Sequence, residues 1–239
     1  MDQQESILTS LGNAGMEIRH AGSRVWLDPF YDDRPGLTAP ILRETAPESP
    51  VEIIAITHDH WDHFNADAVA AAAGRTGARV VGPRSVVRAL RGRLPEESLV
   101  ELEPPAPKRD RPSPGQSVSI GSLAITAFRT IHGRGHNSYL LEWPDFRLFD
   151  DGDNERTECL DWRRLEGLDV LLLCPWQGSR WVEFLEATRP RRWLLIHLDA
   201  DELEQHARGE FLPSVADRAP MEAGALRPGQ AIAFRPVLR

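Results

Sequence analysis

A short polar stretch, residues 58–63, places three of the chain's eight histidines and two aspartates within six positions. The apolar run before it, residues 51–56, predicts a buried strand. The run after it, residues 65–74, predicts a helix with Asn65 as its N-cap and Gly74 as its end. A turn between a strand and a helix leaves neighbouring side chains convergent, and imidazole and carboxylate groups are ligands of first-row metals. A merely solvated loop does not need this density of histidine, so we predict a metal-binding loop, called the metal loop below.

The composition suits a globular protein with a sizeable core, because 41% of the 239 residues are hydrophobic and 27% are charged. The formal net charge of -8 argues against a nucleic acid or an anionic membrane as an electrostatic partner. No apolar run approaches the roughly 20 residues of a membrane span, and the polar start lacks the pattern of a signal peptide. We therefore expect a single cytoplasmic domain over residues 1–239 with a small-molecule substrate, and we leave a homo-oligomer open.

The order of predicted elements alternates between hairpins and strand–helix units. Antiparallel hairpins are predicted over residues 16–28, 117–128 and 137–150, and buried strands followed by helices are predicted between and after them. This order occurs twice along the chain, and no repeat of fixed period is present. Two mixed sheets with helices outside them account for the pattern.

Three further candidate ligands each follow a predicted apolar strand. His132 follows residues 123–131, Asp153 comes shortly after residues 147–150, and His197 follows residues 192–196. A single histidine at a strand end is more often a structural residue, but strand ends at one sheet edge converge in space. Seven ligands are too many for one tetrahedral zinc ion and suit two ions that share a carboxylate. The seven predicted ligands are His58, His60, Asp62, His63, His132, Asp153 and His197.

The metal loop, with its His-x-His-x-Asp-His spacing after an apolar strand, resembles the signature of the metallo-β-lactamase fold superfamily. Residues 11–15 and 25–30 resemble the first motif of one branch. That branch contains L-ascorbate-6-phosphate lactonase and the N-acyl phosphatidylethanolamine phospholipase D type enzymes. Later motifs of the superfamily resemble the segments that end in His132, Asp153 and His197. The resemblance covers nearly the whole chain and implies a four-layer αββα sandwich of two mixed β-sheets with outer helices.

The resemblance also implies how the ligands are shared between two divalent cations, with zinc expected and manganese or iron as alternatives. One cation would take two histidines of the metal loop and one later histidine, and the other would take the remaining loop ligands and the last histidine. Asp28 would orient the metal loop, as metal-bound imidazoles require of some acceptor. The implied sets are His58, His60 and His132 for one cation, Asp62, His63 and His197 for the other, and Asp153 as the bridge.

The chain departs from the family pattern at positions that face substrate in the family. Asn13 stands where the branch commonly has histidine, Asn154 stands where a small hydroxyl residue is usual, and residues 133–137 replace a glycine-rich element. Trp61 is either a wall of the substrate site or a packing residue. An arginine in a chain this rich in arginine is more often a solvated charge. The predicted substrate contacts are Asn13, Trp61, Arg134 and Arg180.

Two adjacent cations lower the pKa of a shared water from about 15.7 to about 7, which predicts a metal-bound hydroxide that attacks a carbonyl or phosphorus. Asp62 is the predicted acceptor of the proton released in that attack. His136 is the predicted general acid for the leaving group, and its structural alternative is a histidine that caps a hairpin. The sequence thus predicts a dinuclear, lactonase-like hydrolase of a small ester, lactone or phosphodiester.

The sequence argues against four other functions on the same fold. A diiron oxygen- or nitric-oxide-reducing domain generally has glutamate where this chain has His60, and it works with a flavin domain. A nucleic-acid phosphodiesterase would carry added clamp elements and basic charge. A non-catalytic binding protein would not need all seven ligands. A secreted β-lactamase is disfavoured by the polar start and by Asp153, where cysteine is frequent.

Overall fold

The structure is a computed structural model that describes residues 5–32, 37–38, 50–109, 111–133, 135–176, 178–211 and 218–235. Contacts between Cα atoms divide the chain into two compact units. Unit 1 extends to Leu102 and resumes at Leu226, and unit 2 lies between, from Glu103 to Ala225. The prediction of a single domain over residues 1–239 stays a prediction.

The described part of the chain forms fourteen strands and four α-helices. In chain order these are β1 (Ser6–Gly12), β2 (Gly15–His20), β3 (Ser23–Leu27), β4 (Ile53–Ala55), α1 (Ala66–Thr76), β5 (Arg79–Gly82), α2 (Arg84–Leu90), β6 (Leu99–Glu101), β7 (Gln116–Ile120), β8 (Leu123–Arg129), β9 (Asn137–Glu142), β10 (Arg147–Asp150), β11 (Val170–Leu173), α3 (Trp181–Thr188), β12 (Arg192–Leu195), α4 (Ala200–Ala207), β13 (Gly224–Ala225) and β14 (Ala231–Phe234).

Unit 1 contains a seven-stranded mixed sheet in the order β14-β1-β2-β3-β4-β5-β6. The strands from β14 to β3 are antiparallel, whereas β3, β4, β5 and β6 pair in parallel. All three residues of β4 are buried, because a parallel central strand is covered on both faces. The apolar core of this unit packs Val69 of α1 with Trp26, Ile54 and Val80 of the sheet. The metal loop therefore leaves a rigid central strand and enters a packed helix.

Helix α1 begins as predicted, since the Asn65 side chain accepts a hydrogen bond from the backbone N–H of Ala68. Its predicted end at Gly74 is wrong, because the helix continues to Thr76 and closes at Gly77. Gly77 has a φ of 73°, a left-handed conformation that suits glycine, and its N–H donates to the carbonyl of Ala73. Gly74 lies inside the helix, and a Cβ there would meet nothing within 4 Å.

Unit 2 contains a second seven-stranded mixed sheet in the order β13-β12-β11-β10-β9-β8-β7. Strands β7 to β10 are antiparallel and β10 to β13 are parallel. Strand β11 is buried throughout, whereas the edge strand β7 has only exposed and half-buried positions. Short 3₁₀ helices, Thr157–Cys159 and Trp162–Leu165, connect β10 to β11. The two sheets confirm the predicted pattern of hairpins followed by parallel strands.

Two details of unit 2 differ from the sequence-based expectation. Strand β8 ends at Arg129, short of the predicted Ile131, and the short strand β13 had no recognisable pattern. Asp169, which is 1% exposed, accepts hydrogen bonds from the backbone of Arg147 and the guanidinium of Arg191, and so ties together the starts of three parallel strands.

Within the described ranges, none of the helices has the length and apolar character that a membrane-spanning segment requires.

Candidate metal centre

The metal loop of unit 1 brings its three imidazoles together. The ring centroids of His58 and His60 are 4.4 Å apart, and those of His58 and His63 are 4.2 Å apart. His58 and His63 are buried, at 2% and 0% exposure, whereas His60 is exposed. The Nε2 atom of His63 lies 4.0 Å from Oδ2 of Asp62. Four predicted ligands thus converge within one turn between β4 and α1.

Asp28 fixes this loop from the end of β3. Its buried carboxylate accepts a 2.8 Å hydrogen bond from the backbone N–H of Thr57 through Oδ1. Its Oδ2 accepts from the Thr57 hydroxyl at 2.5 Å and from Nδ1 of His63 at 2.8 Å. Asp28 has a φ of 37°, a conformation that is sparsely populated and that clusters at functional sites. One carboxylate therefore orients the backbone directly before the metal loop and an imidazole within the loop.

These hydrogen bonds determine the tautomers of two histidines. A carboxylate only accepts, so the single hydroxyl proton of Thr57 goes to Asp28. The Thr57 oxygen, 2.9 Å from Nδ1 of His58, then accepts a hydrogen bond from the N–H at that nitrogen. His63 likewise donates its Nδ1 proton to Asp28. Both imidazoles therefore present Nε2 as an electron-pair donor, the form in which histidine binds a metal.

Asn13 supports the metal loop from the turn between β1 and β2. Its Nδ2 donates a 2.7 Å hydrogen bond to the carbonyl of Asp62, and its own N–H donates to the Thr38 hydroxyl. Asn13 has a φ of 44°, which asparagine tolerates better than most residues. Its Oδ1 is buried and has no hydrogen-bond partner among the described residues. The predicted contact of Asn13 with substrate stays a prediction.

The other three predicted ligands, called the strand-end cluster, lie in unit 2 after β8, β10 and β12. Oδ2 of Asp153 lies 3.7 Å from Nε2 of His132 and 3.5 Å from Nε2 of His197. These separations are too long for good hydrogen bonds. Two donors bound at about 2.0–2.2 Å to one tetrahedral zinc ion lie roughly 3.3–3.6 Å apart. The separation from His197 falls within this range and the separation from His132 is slightly longer, so the cluster has approximately the spacing of donors that share a cation.

The histidines of the strand-end cluster are held in different ways. Nδ1 of His132 lies 3.0 Å from a carboxylate oxygen of Glu155, an acceptor that places the ring proton on Nδ1 and leaves Nε2 as the donor towards a metal. His197 has a φ of 63°, so its backbone adopts the left-handed conformation two residues after the end of β12. The capping box of Asp199 and Glu202 then starts α4. A strained turn between a strand and a capped helix thus orients His197.

The turn that carries Asp153 contains a second buried acid, Asp151, which the sequence analysis did not single out. Asp151 is buried, and this burial is the main reason that its pKa is raised to about 7. The nearby Asp153 carboxylate also raises the pKa, whereas hydrogen bonds from Asn154 and Ser138 lower it. Asn154, the departure from the family pattern, donates to the Asp151 carboxylate at 3.0 Å. Asn154 therefore supports the turn that carries the predicted bridging ligand.

His136 is buried, and both of its ring nitrogens bond to protein groups. Nε2 accepts a 3.0 Å hydrogen bond from the backbone N–H of Asp153, and Nδ1 lies 2.7 Å from the Thr130 hydroxyl. A general acid needs a proton on a nitrogen that reaches the leaving group. This geometry argues against the predicted general-acid role.

The predicted substrate contacts have mixed surroundings. Trp61 is 41% exposed. Arg180 has its guanidinium 5.1 Å from the ring centroid of Trp162 and 3.6 Å from Glu183, and it borders a surface cavity of about 530 Å³. Arg134 lies outside the described residues. The substrate roles of all three stay predictions.

Sequence reasoning missed two residues that set ligand tautomers, Thr57 and Glu155. Thr57 directly precedes the metal loop, and a hydroxyl beside a predicted ligand is a weak signal that could have been used. Glu155 is half exposed and looks like an ordinary surface acid. Only its contact with His132 reveals its role.

Comparison of the chain with known protein families identifies the family to which it is similar. Residues 23–198 match the family described as Beta-lactamase superfamily domain. A UPF0173 metal-dependent hydrolase of Nitratidesulfovibrio vulgaris is 27% identical over 172 residues, which cover 70% of this chain and 66% of that relative. The chain thus spans slightly less than two thirds of that relative.

Solved structures show the same fold at low sequence identity. The metallo-beta-lactamase fold protein YhfI from Bacillus subtilis aligns with a TM-score of 0.66 at 12% identity, covering 97% of this chain and 100% of that chain. CmlA, a diiron beta-hydroxylase from Streptomyces venezuelae, aligns with a TM-score of 0.65 at 16% identity, covering 96% of this chain and 54% of that chain. These likenesses confirm the predicted fold. Because the family match extends over well over half of the sequence, the chain belongs to the beta-lactamase superfamily.

Proposed function

We propose that this chain is a metal-dependent hydrolase whose seven predicted ligands bind two divalent cations. The observation that carries the proposal is the pair of buried loop imidazoles that Asp28 and Thr57 set in the Nε2-donor tautomer. An apolar or solvated role for these histidines does not require a buried carboxylate behind them. The zinc-like spacing around Asp153 supports the same conclusion in unit 2.

The donor set is made of imidazole and carboxylate groups, which suits zinc, with manganese and iron as alternatives. When bound, two such cations supply Lewis-acid chemistry and lower the pKa of a shared water to about 7. Asp62 accepts the proton released in the attack, and Asn13 keeps the backbone of Asp62 in place. The substrate class we propose is a small ester, lactone or phosphodiester, in a cytoplasmic setting. The name of the Nitratidesulfovibrio relative supports hydrolysis and leaves the substrate open.

The first experiment combines metal analysis with a substrate screen. Purified protein should contain close to two zinc, manganese or iron ions per chain. It should hydrolyse at least one member of a panel of p-nitrophenyl esters, lactones and bis-p-nitrophenyl phosphate. A content of one ion or none would contradict the dinuclear proposal.

Asp153→Ala then tests the assigned bridge. We expect kcat/KM to fall at least about 100-fold, because the carboxylate is proposed to contact both cations. Asp145→Ala is the matched control, since Asp145 lies in the turn before β10 whereas Asp153 follows the same strand. Thermal unfolding of both variants verifies that they fold. Full activity in Asp153→Ala would show that Asp153 is misassigned.

A diiron oxidase or oxygenase is the second candidate, because CmlA, a diiron beta-hydroxylase, has the same fold. The iron-loaded protein separates the two candidates. Hydrolysis without oxygen consumption supports our proposal, whereas reductant-dependent oxygen consumption without hydrolysis favours the diiron alternative. Cleavage of RNA or DNA in preference to the small phosphodiester would favour a nucleic-acid phosphodiesterase.

A further inference from the structure

A chain of buried hydrogen bonds in unit 2 begins and ends on the turn that carries Asp153. The Asp153 N–H donates to Nε2 of His136 at 3.0 Å, and Nδ1 of His136 lies 2.7 Å from the Thr130 hydroxyl. That hydroxyl lies 3.0 Å from the Ser138 hydroxyl, which lies 2.9 Å from the carbonyl oxygen of Asp151. All five residues are at most 3% exposed. We call these hydrogen bonds the relay.

The two ends of the relay determine which group donates and which accepts in every hydrogen bond between them. A carbonyl oxygen only accepts, so Ser138 donates to Asp151, and Thr130 must then donate to Ser138. The remaining contact requires Nδ1 of His136 to donate to Thr130. From the other end, a backbone N–H only donates, so Nε2 of His136 carries no proton. Both ends therefore assign the same tautomer to His136, with its proton on Nδ1.

The relay joins three separate strands to one turn. Thr130 follows β8, Ser138 lies in β9, and the Asp151–Asp153 turn follows β10. Thr130 and His136 are also tied through their backbones, since the N–H of Thr130 donates to the carbonyl of His136 at 3.1 Å. Aligned hydrogen bonds in a buried environment strengthen one another. The backbone of Asp153 is thereby fixed independently of its carboxylate, which is left to act as a ligand.

We propose that His136 is a positioning residue that holds the backbone of Asp153 through Nε2, and that it is not the general acid of the reaction. The role of Asp153 as a bridging ligand rests on the proposed function above. The contact between His136 and the Asp153 backbone is independent of that proposed function. The two parts therefore fail in different experiments.

Two substitutions separate positioning from acid catalysis. In His136→Gln, the side-chain oxygen takes the place of Nε2 and keeps an acceptor for the Asp153 N–H. In His136→Asn, the side-chain nitrogen takes the place of Nδ1 and keeps a donor to Thr130, but the acceptor is lost. Neither amide can transfer a proton as an acid. Acid catalysis thus predicts equal defects, whereas positioning predicts that only His136→Asn is strongly affected.

The first readout does not depend on activity. Amide hydrogen exchange of the chelated full-length protein should show the Asp153 N–H exchanging on the order of tenfold faster in His136→Asn, and near the wild-type rate in His136→Gln. Long-range ¹H–¹⁵N correlation of the wild-type imidazole should show the Nδ1-protonated tautomer. A proton on Nε2, or unchanged exchange in His136→Asn, would overturn the proposal.

The second readout is zinc affinity, measured by competition with a chelator. We expect His136→Asn to bind zinc about 10–100-fold more weakly and His136→Gln to stay within a few-fold of wild type. If the protein hydrolyses an aryl ester, the leaving-group dependence of kcat/KM should keep its slope in both variants. A steeper slope in both variants, with normal zinc affinity, would restore His136 as the general acid.

Thr130→Val tests the relay without changing His136, which matters if the histidine variants fold poorly. It removes one buried hydroxyl, so Asp153 should exchange a few-fold faster. Thr126→Val is the matched control, because Thr126 lies in β8 and bonds to Ser117 instead. Equal exchange of the Asp153 amide in the two variants would contradict the relay. If hydrolysis is absent but these exchange results hold, the proposed function fails and the positioning of Asp153 stands.

Discussion

The metal loop carries four predicted ligands within six consecutive residues, whereas the strand-end cluster collects three from the ends of β8, β10 and β12. In the loop, one carboxylate from a neighbouring strand sets the backbone and the tautomers. In the strand-end cluster, each ligand has its own support: Glu155 at His132, the relay at Asp153 and a left-handed turn at His197.

The metal loop and the strand-end cluster depend on different parts of the structure. The loop depends on a few hydrogen bonds to one carboxylate of a neighbouring strand, so one substitution should misplace all four ligands while the sheet remains. The strand-end cluster depends on the register of a whole sheet, so a substitution far along the strands should lower stability before it disturbs the ligands.

Asp28→Ala should have the largest effect, because it removes the acceptor of three buried donors from Thr57 and His63. We expect the free energy of unfolding to fall by about 3 kcal/mol or more, and zinc affinity to fall about 10–100-fold. Urea unfolding of the chelated protein and chelator competition measure the two effects. Asp28→Asn, which tolerates the positive φ, should retain part of both.

Asp32→Ala is the control for that experiment. Asp32 lies four positions away in the same unit and accepts a hydrogen bond from Asn65, so its loss should cost about 1 kcal/mol with little change in zinc affinity. Unchanged zinc affinity in Asp28→Ala would show that the loop holds its ligands without this carboxylate.

Asp169→Ala is the corresponding change in unit 2 and should have an intermediate effect. It leaves the backbone N–H of Arg147 and the guanidinium of Arg191 without their shared acceptor, at the end of the parallel strands opposite the ligands. We expect the free energy of unfolding to fall by about 2 kcal/mol, with zinc affinity at 25 °C within a few-fold of wild type. A loss of zinc affinity as large as that of Asp28→Ala would remove the contrast between the two clusters.

Asn13→Gly should have the smallest effect and tests how many anchors the metal loop needs. Glycine accepts the positive φ of this position, so the substitution removes only the hydrogen bond to Asp62. We expect a loss of about 1 kcal/mol and a few-fold weaker zinc binding, measured as above. Asn13→Asp places an acceptor opposite the Asp62 carbonyl and should cost more. If it costs less, the loop does not rely on this contact.

Local patterns in the sequence predicted much of the fold. The pairing of β7 with β8 and of β9 with β10 agrees with the predicted hairpins over residues 117–128 and 137–150. The end of α1 was missed, because two glycines three positions apart offer the same signal and only the backbone conformation distinguishes Gly77. The strand β13 was missed because it has two residues, too few for a sequence pattern, and it is defined by its pairing with β12.

The sequence by itself predicted the donor chemistry of the proposed metal site, because imidazoles and carboxylates crowd into the metal loop and recur after apolar strands. It also determined the family, through the spacing of those residues. Only the tertiary structure decided which nitrogen His58 and His63 present and that His136 faces the Asp153 backbone. Tautomers are set by hydrogen bonds between residues far apart in the chain, such as Asp28 with His63. No local pattern encodes such contacts, because they form only when the strands have found their register.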